Sequence, residues 1–176
     1  FHMINDDLLS ALKPGTIIIN TSRGNVADGE ALRRYAFAGK GIVVLDVWEN
    51  EPCIALDLLD RTGIATPHIA GYSADGKANA TTMTVRELGR HFGLPLRDWE
   101  AENIPVPADN EVDIDCSSLE TEEIIVRAVL SSYDVMRDDK ALRSDPGNFE
   151  KLRAYYPLRR EFQAYTLNLK GQDVHT

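Results

Sequence analysis

Three short apolar runs divide the first 70 residues, and each run ends in a segment rich in polar side chains. Residues 16–20 (Thr-Ile-Ile-Ile-Asn) and 42–45 (Ile-Val-Val-Leu) are dense in β-branched residues, and residues 64–66 (Ile-Ala-Thr) stop at Pro67. Turn residues bound the runs, which is typical of strands, and continuous apolar character predicts strands buried on both faces of a sheet. The first 70 residues therefore contain three predicted strands.

Helix-forming segments separate these strands. Asn5 is the predicted N-cap of a short helix through Leu12, and Asp28 is the predicted N-cap of an amphipathic segment that precedes Gly39. A third, brief helix is predicted over residues 55–60. Strands that alternate with helices form parallel sheets with right-handed crossovers. We therefore expect an α/β fold with a doubly wound parallel sheet.

The segments that follow the three strands carry most of the reactive side chains. They are Thr-Ser-Arg-Gly at 21–24, Asp-Val-Trp-Glu-Asn-Glu-Pro at 46–52 and Pro-His-Ile-Ala-Gly-Tyr at 67–72. The carboxyl ends of parallel strands lie at one edge of a sheet, and ligands of doubly wound folds bind there. The sequence predicts a functional site at this edge.

Three residues of these segments are candidates for acid–base chemistry on an acidic substrate. Arg23 has a planar guanidinium that can grip a carboxylate through two hydrogen bonds; the alternative is an arginine that pairs with a nearby acid or helix end. His68 is a candidate general acid or base, although a lone histidine is more often structural. A carboxylate bonded to the imidazole, supplied by Glu51, favours the charged ring and fixes its orientation; the alternative is that Glu51 only starts a helix.

Two further residues are candidates for binding. Asp46 can accept a hydrogen bond from a carboxamide or ribose, or can cap a turn. Tyr72 can donate its hydroxyl to a phosphate or carboxylate, or can pack in the core. Together these residue types favour oxidation of a 2-hydroxy acid, in which Arg23 holds the carboxylate, His68 removes the hydroxyl proton and a nicotinamide accepts the hydride. No serine or cysteine lies in a nucleophile elbow, which argues against a protease-like triad.

The rest of the chain is predicted to form a helix, a linker and a second unit. Residues 73–92 have helical spacing and end at Gly93. Ten acidic residues and the single base Arg97 lie between positions 95 and 123, which predicts an extended linker with a strand around Ile104. Helices are predicted over 123–136 and 149–156, and a strand over 165–169. The predicted domains are 1–94, an acidic linker at 95–118, and 119–176.

Composition excludes several classes of protein. The formal net charge of -9 argues against nucleic acid as a partner. No apolar run is long enough to span a membrane, and no signal-like segment opens the chain. The two cysteines, Cys53 and Cys116, lack the spacing of a metal site or a disulfide scaffold. We expect a cytoplasmic protein that binds no metal.

The three ordered strings at 19–24, 45–52 and 66–72 resemble the D-2-hydroxyacid dehydrogenase family. The resemblance implies NAD as cofactor and the C-terminal half of a Rossmann-type sheet. It implies that Arg23, Glu51 and His68 are catalytic, and that Arg23 and Tyr72 contact substrate. The cofactor contacts that it implies are Thr21, Ser22, Arg23, Asp46 at the nicotinamide end, and Gly71.

The C-terminal strings at 132–139, 149–156 and 159–162 resemble an extra domain that most members of this family lack. That resemblance implies a small α+β dimerisation domain and therefore a homodimer. It also implies a small phosphorylated 2-hydroxy acid as substrate, oxidised to the 2-oxo acid in pyridoxal 5'-phosphate biosynthesis. The alternatives are another dehydrogenase of the family, such as a phosphoglycerate or glyoxylate reductase relative, and a non-catalytic NAD-sensing or dimerising relative.

One element of the family's pattern is absent. The chain has no Gly-x-Gly-x-x-Gly turn with an acidic residue about twenty positions later, and Gly39-Lys40-Gly41 leads into a strand and is no substitute. The chain opens on Phe1, which we interpret as a start within a longer coding sequence. We expect that this polypeptide alone neither binds NAD tightly nor turns over substrate, and its sequence leaves the choice between NAD and NADP open.

Overall fold

The computed structural model describes residues 1–171. Its helices and strands belong to two units. The strands are β1 (Thr16–Asn20), β2 (Gly41–Leu45), β3 (Ile64–Ala65), β4 (Glu111–Asp115) and β5 (Thr166–Lys170). The helices are α1 (Asp6–Ala11), α2 (Gly29–Phe37), α3 (Leu56–Leu59), α4 (Ala74–Phe92), α5 (Thr121–Ser132), α6 (Val135–Ser144) and α7 (Phe149–Ala154). The first unit contains Phe1–Ala70 and Val135–Tyr156; the second contains Gly71–Asp134 and Pro157–Thr176, of which 172–176 lie outside the described residues.

The first unit is built on a parallel three-stranded sheet in the order β1-β2-β3. Asn20 pairs with Leu45, and Leu45 pairs with Ala65, so the three strands end at one edge. Asn5 accepts a hydrogen bond from the backbone of α1 and Asp28 from that of α2, which confirms both predicted N-caps. The structure thus confirms the α/β class and places the three polar segments together.

One face of this sheet is buried and the other is not. Ile18, Val43 and Ala65 point into a core that also receives side chains from α1, α2 and α3. Ile17 and Ile19, on the opposite face, are 58% and 63% exposed. The prediction of strands buried on both faces was therefore wrong for the described residues, because their helices supply a cover for one face only.

Helix α6 closes the free edge of the sheet. The carboxylate of Asp139, which is buried, accepts a hydrogen bond of 2.8 Å from the backbone N–H of Ala65, a group that points away from β2. Arg143 lies one turn further along α6, bonds the same carboxylate, and donates to the carbonyls of Leu59 and Thr62. The bond to Asp139 satisfies an N–H at the edge of the sheet, and Arg143 ties α6 to the segment between α3 and β3.

The second unit combines α4, α5 and the parallel pair β4-β5. Its small core contains Ile114, Cys116 and Ile124, which come from β4, the residue after it, and α5. The segment that follows α7 is joined to the start of α4 by Asp75, whose buried carboxylate forms an ion pair of 2.8 Å with Arg160. Hydrogen bonds from this guanidinium lower the pKa of Asp75 to about 2.

The structure divides the chain differently from the predicted domains. Strand β4 lies inside the expected linker at 95–118, and no strand lies around Ile104 among the described residues. The helix predicted over 123–136 is interrupted at Tyr133-Asp134, and Val135–Tyr156 belongs to the first unit. Val135–Tyr156 belongs to the first unit because Asp139 and Arg143 bond to Ala65 and Thr62, which lie more than 70 positions earlier in the sequence. No helix within residues 1–171 meets the length and hydropathy of a membrane span.

Candidate active site

The loop after β2 holds the carboxylate of Glu51 in a fixed position. Oε1 of Glu51 accepts a hydrogen bond of 2.7 Å from the backbone N–H of Trp48. Asn50, directly before it, has a φ of 62°, and the peptide bond from Glu51 to Pro52 is cis. Oε2 of Glu51 remains available to a second partner.

That second partner is His68. Its Nδ1 lies 2.7 Å from Oε2 of Glu51, and the two side chains are 26% and 19% exposed. Because an ionised carboxylate only accepts hydrogen bonds, Nδ1 carries the proton of this bond. A carboxylate that binds Nδ1 leaves Nε2 to exchange a proton with a ligand. The predicted pairing of Glu51 with His68 is thus present in the structure.

The backbone at His68 adopts an unusual conformation that Asp46 supports. His68 has a φ of 57°, in the left-handed region that costs energy for a residue other than glycine. Its N–H donates to the backbone carbonyl of Asp46 over 2.7 Å. The carboxylate of Asp46 accepts from the N–H groups of Ile69 and Ala70, at 2.7 and 3.1 Å. Asp46 therefore holds the turn that carries the imidazole.

Two residues that sequence reasoning missed complete this network. The hydroxyl of Thr66 donates to the Asp46 carboxylate over 2.7 Å, and the carbonyl of Thr66 accepts from the indole N–H of Trp48 over 3.0 Å. Both Thr66 and Trp48 are buried. A threonine at a strand end and a tryptophan after an aspartate were the only sequence signals, and neither indicates a specific partner.

The loop after β1 is organised by Asn20. The amide of this buried residue donates to the carbonyl of Arg23, and its oxygen accepts from the backbone and hydroxyl of Ser22. A Cβ at Gly24 would overlap the backbone carbonyl of Trp48, so only glycine allows this loop to approach the loop after β2. Asn20 was predicted only as the end of a strand, and no local pattern indicated that it organises this loop.

The side chains of this loop face solvent. Thr21, Ser22 and Arg23 are exposed. The guanidinium of Arg23 donates to the carbonyl of Ser22 over 2.6 Å, with no bond to Glu51 or His68 among the described contacts. The structure therefore places Arg23 at the same sheet edge as the pair, in a position to meet an anionic ligand, while its predicted role remains a prediction.

The last two predicted residues, Gly71 and Tyr72, belong to the second unit. Gly71 is exposed, with no atom within 4 Å of the place that a Cβ would take. The ring of Tyr72 is half-buried, and the ammonium of Lys77 lies 4.7 Å from its centroid. No group of three histidine, cysteine or carboxylate side chains in the described part of the chain could hold a metal ion.

Two family models match the chain. Residues 1–70 match the NAD binding domain of the D-isomer specific 2-hydroxyacid dehydrogenases, and residues 104–176 match a domain of unknown function (DUF3410). The first match covers all three strands of the parallel sheet and the Glu51–His68 pair. Residues 1–70 are therefore similar to the NAD binding domain of the D-isomer specific 2-hydroxyacid dehydrogenases.

Nearly the whole chain is similar to erythronate-4-phosphate dehydrogenases. It is 45% identical to that of Marinobacter nauticus, over 97% of this chain and 46% of the relative. It is 44% identical to that of Bacteroides fragilis, over 95% of this chain and 45% of the relative. The chain thus spans slightly less than half the length of the curated relatives that it matches.

A solved structure of holo D-mandelate dehydrogenase from Rhodotorula graminis is 31% identical, with a TM-score of 0.47, over 61% of this chain and 32% of that one. The similarity of this chain to dehydrogenases is carried by the sequence matches.

Proposed function

We propose that this chain is part of an enzyme that oxidises 4-phospho-D-erythronate to the 2-oxo acid, with NAD as hydride acceptor. The observation that carries the proposal is the bond of 2.7 Å between Nδ1 of His68 and Oε2 of Glu51, at the carboxyl edge of a parallel sheet. The similarity to erythronate-4-phosphate dehydrogenases supports this choice of substrate over other 2-hydroxy acids.

The residues of this chain have distinct parts in the proposed reaction. Glu51 holds the imidazole by Nδ1, and Nε2 of His68 removes the proton of the C2 hydroxyl as the hydride leaves C2. A protonated His68 returns that proton in the reverse reaction. The exposed guanidinium of Arg23 binds the substrate carboxylate through two hydrogen bonds. Tyr72 is the proposed further contact to substrate.

The described residues fit one end of the cofactor. Thr21 and Ser22 are exposed at the sheet edge, and Gly71 has open space at its Cα. The carboxylate of Asp46 lies at the same edge, is buried, and accepts from Thr66, Ile69 and Ala70. NAD, when bound, supplies the electron acceptor of the reaction. We propose that Thr21, Ser22, Arg23 and Gly71 lie along NAD and that Asp46 contacts its nicotinamide end. Because Asp46 also anchors the His68 turn, its replacement would affect both functions.

A chimeric enzyme tests the proposal. The upstream residues of the Marinobacter nauticus relative are joined ahead of Phe1, and NADH formation from 4-phospho-D-erythronate is followed by absorbance. We expect turnover that His68→Asn abolishes and Glu51→Gln lowers by about 100-fold, within the range for general acid–base groups. The unjoined 176-residue chain is expected to show none.

Two results of this assay would contradict the proposal. A chimera that oxidises 3-phosphoglycerate or another 2-hydroxy acid faster than 4-phospho-D-erythronate would favour another dehydrogenase of the family. A chimera that binds NADH, as seen by its fluorescence, and oxidises no 2-hydroxy acid would favour a non-catalytic NAD-sensing relative.

We further propose that the enzyme is a homodimer joined through α5. Its outer side presents Ile125, Val126, Val129 and Leu130, which are 57%, 54%, 39% and 47% exposed. Residues spaced by one and four positions form a continuous apolar stripe on a helix, and a second copy offers an identical, self-complementary stripe.

Sedimentation velocity of the chain tests this dimer. Val126→Asp is expected to give a monomer. Ser131→Asp, at an exposed position of the same helix, is the control and is expected to remain a dimer. A wild-type chain that sediments as a monomer at high concentration would refute it.

The compartment that we propose is the cytoplasm. Cys53 and Cys116 are both free thiols in the structure, and free thiols persist in a reducing compartment.

A further inference from the structure

Trp48 makes hydrogen bonds toward both members of the Glu51–His68 pair. Its backbone N–H donates to Oε1 of Glu51 over 2.7 Å. Its indole N–H donates over 3.0 Å to the carbonyl of Thr66, two residues before His68. The side chain is 4% exposed, so water does not replace either contact readily.

We propose that Trp48 is a positioning residue that sets the orientation of the His68 imidazole relative to the Glu51 carboxylate. This inference rests on the function proposed above, in which that pair transfers the substrate proton. It assigns to Trp48 a specific task beyond packing in the core.

The two contacts of Trp48 act on different degrees of freedom. The backbone N–H holds Oε1 of Glu51, which prevents rotation of the carboxylate and keeps Oε2 directed at Nδ1 of His68. The indole spans from the loop after β2 to the end of β3 and fixes the distance between the two segments that carry the pair. Catalytic groups have to be held to within a fraction of an ångström, which such supporting contacts provide.

The carbonyl of Thr66 depends on the indole N–H of Trp48 for its hydrogen bond. The N–H of Thr66 bonds Leu45 and its hydroxyl bonds Asp46. The next residue, Pro67, has no N–H, and the N–H of His68 bonds Asp46. The carbonyl of Thr66 is buried with the indole N–H as its donor, and a buried carbonyl without a donor is unfavourable. Loss of this N–H would therefore shift the end of β3, and with it His68.

Trp48→Phe separates the positioning role from packing, because phenylalanine keeps an aromatic ring and lacks the donor. The measurement is the ¹⁵N spectrum of the imidazole of His68 in the 176-residue chain, assigned by the signals lost in His68→Gln. The wild-type ring is expected in the form protonated at Nδ1, with a slowly exchanging Nδ1–H. In Trp48→Phe we expect a mixture of the two neutral forms and fast exchange of that proton.

Tyr35→Phe is the matched control. Tyr35 is also a buried aromatic donor, and its hydroxyl bonds the carbonyl of Thr16 over 3.4 Å at the opposite end of the sheet. This variant should leave the His68 spectrum unchanged. If Trp48→Phe also leaves it unchanged while Glu51→Gln alters it, Trp48 is only a packing residue and the proposal is overturned.

A second variant covers the case in which Trp48→Phe does not fold. Biosynthetic replacement of tryptophan by benzothienylalanine, in a Trp99→Phe background, keeps the bicyclic shape of residue 48 and removes the N–H. The same spectral change is expected, and a wild-type spectrum would overturn the proposal.

Kinetics of the chimera separate this proposal from the proposed function. Trp48→Phe is expected to lower kcat by about tenfold with little change in KM, because it misaligns the proton transfer without removing a substrate contact. A rise in KM at constant kcat would contradict the positioning role. An inactive wild-type chimera whose His68 spectrum still responds to Trp48→Phe would refute the dehydrogenase function and leave the positioning of His68 standing.

Discussion

Asp75→Asn removes a buried charge from the start of α4 in the second unit. The Asp75 side chain is 6% exposed and accepts four hydrogen bonds. Two of these come from the guanidinium of Arg160, at 2.8 and 2.9 Å, one from the backbone N–H of Glu161 and one from the amide of Gln163. The variant places an amide NH₂ among these donors and leaves Arg160 without its carboxylate.

The size of the effect follows from the pKa of Asp75. The hydrogen bonds from Arg160 lower this pKa from 3.8 to about 2. Because the folded state binds the proton more weakly than the unfolded chain, the charged carboxylate stabilises the folded state by about 2 kcal/mol at neutral pH. This contribution is fully present above about pH 4 and is lost as the pH falls through about 2.

Urea unfolding at several pH values measures the contribution. We expect Asp75→Asn to lower the free energy of unfolding of the second unit by at least about 2 kcal/mol at pH 7, and the difference from wild type to shrink by about 1 kcal/mol between pH 5 and pH 3. Hydrogen exchange of α4 amides identifies the unit that unfolds. The control is Asp113→Asn, which breaks an exposed pair with Lys170 and should change stability little. A loss that is independent of pH in this range would refute the ion-pair argument.

Two substitutions test the first unit. Asp139→Ala removes the acceptor of the Ala65 N–H and leaves a guanidinium without its partner, so we expect a loss of about 3 kcal/mol in urea unfolding and faster exchange of the Ala65 amide; an unchanged exchange rate would contradict the edge-closing role of α6. Gly24→Ala forces a methyl group against the Trp48 carbonyl, so we expect a lower melting temperature and shifted His68 signals. Retention of both wild-type values would show that the two loops do not meet closely in solution.

Local patterns in the sequence predicted the elements of the first sheet. The apolar runs predicted the bounds of β1 and β2 to within one residue. Asn5 and Asp28 cap α1 and α2, as expected from their side-chain chemistry. The Glu51–His68 contact was also predicted, since parallel strands that end at one edge bring their following loops together.

Features that depend on distant parts of the chain were not predicted. The indole bond of Trp48 to Thr66 and the bonds of Asp139 and Arg143 to the sheet edge join residues 18 to 84 positions apart, and no local pattern encodes them. Strand β4 was missed for another reason. Its acidic residues alternate with Val112 and Ile114, which is typical of a strand with one buried and one exposed face. The high charge of the surrounding residues predicted a linker instead.

The uncovered face of the first sheet has a consequence for how this polypeptide behaves in a cell. Ile17, Ile19 and Ile42 present a flat apolar surface on adjacent strands, and such a surface favours association between chains and capture by chaperones. The yield of folded material should then depend on how soon after synthesis a covering segment docks on these isoleucines. Coexpression with such a segment is expected to raise the fraction of the chain recovered in the supernatant rather than in inclusion bodies. Ile19→Asp is expected to raise that fraction without the segment.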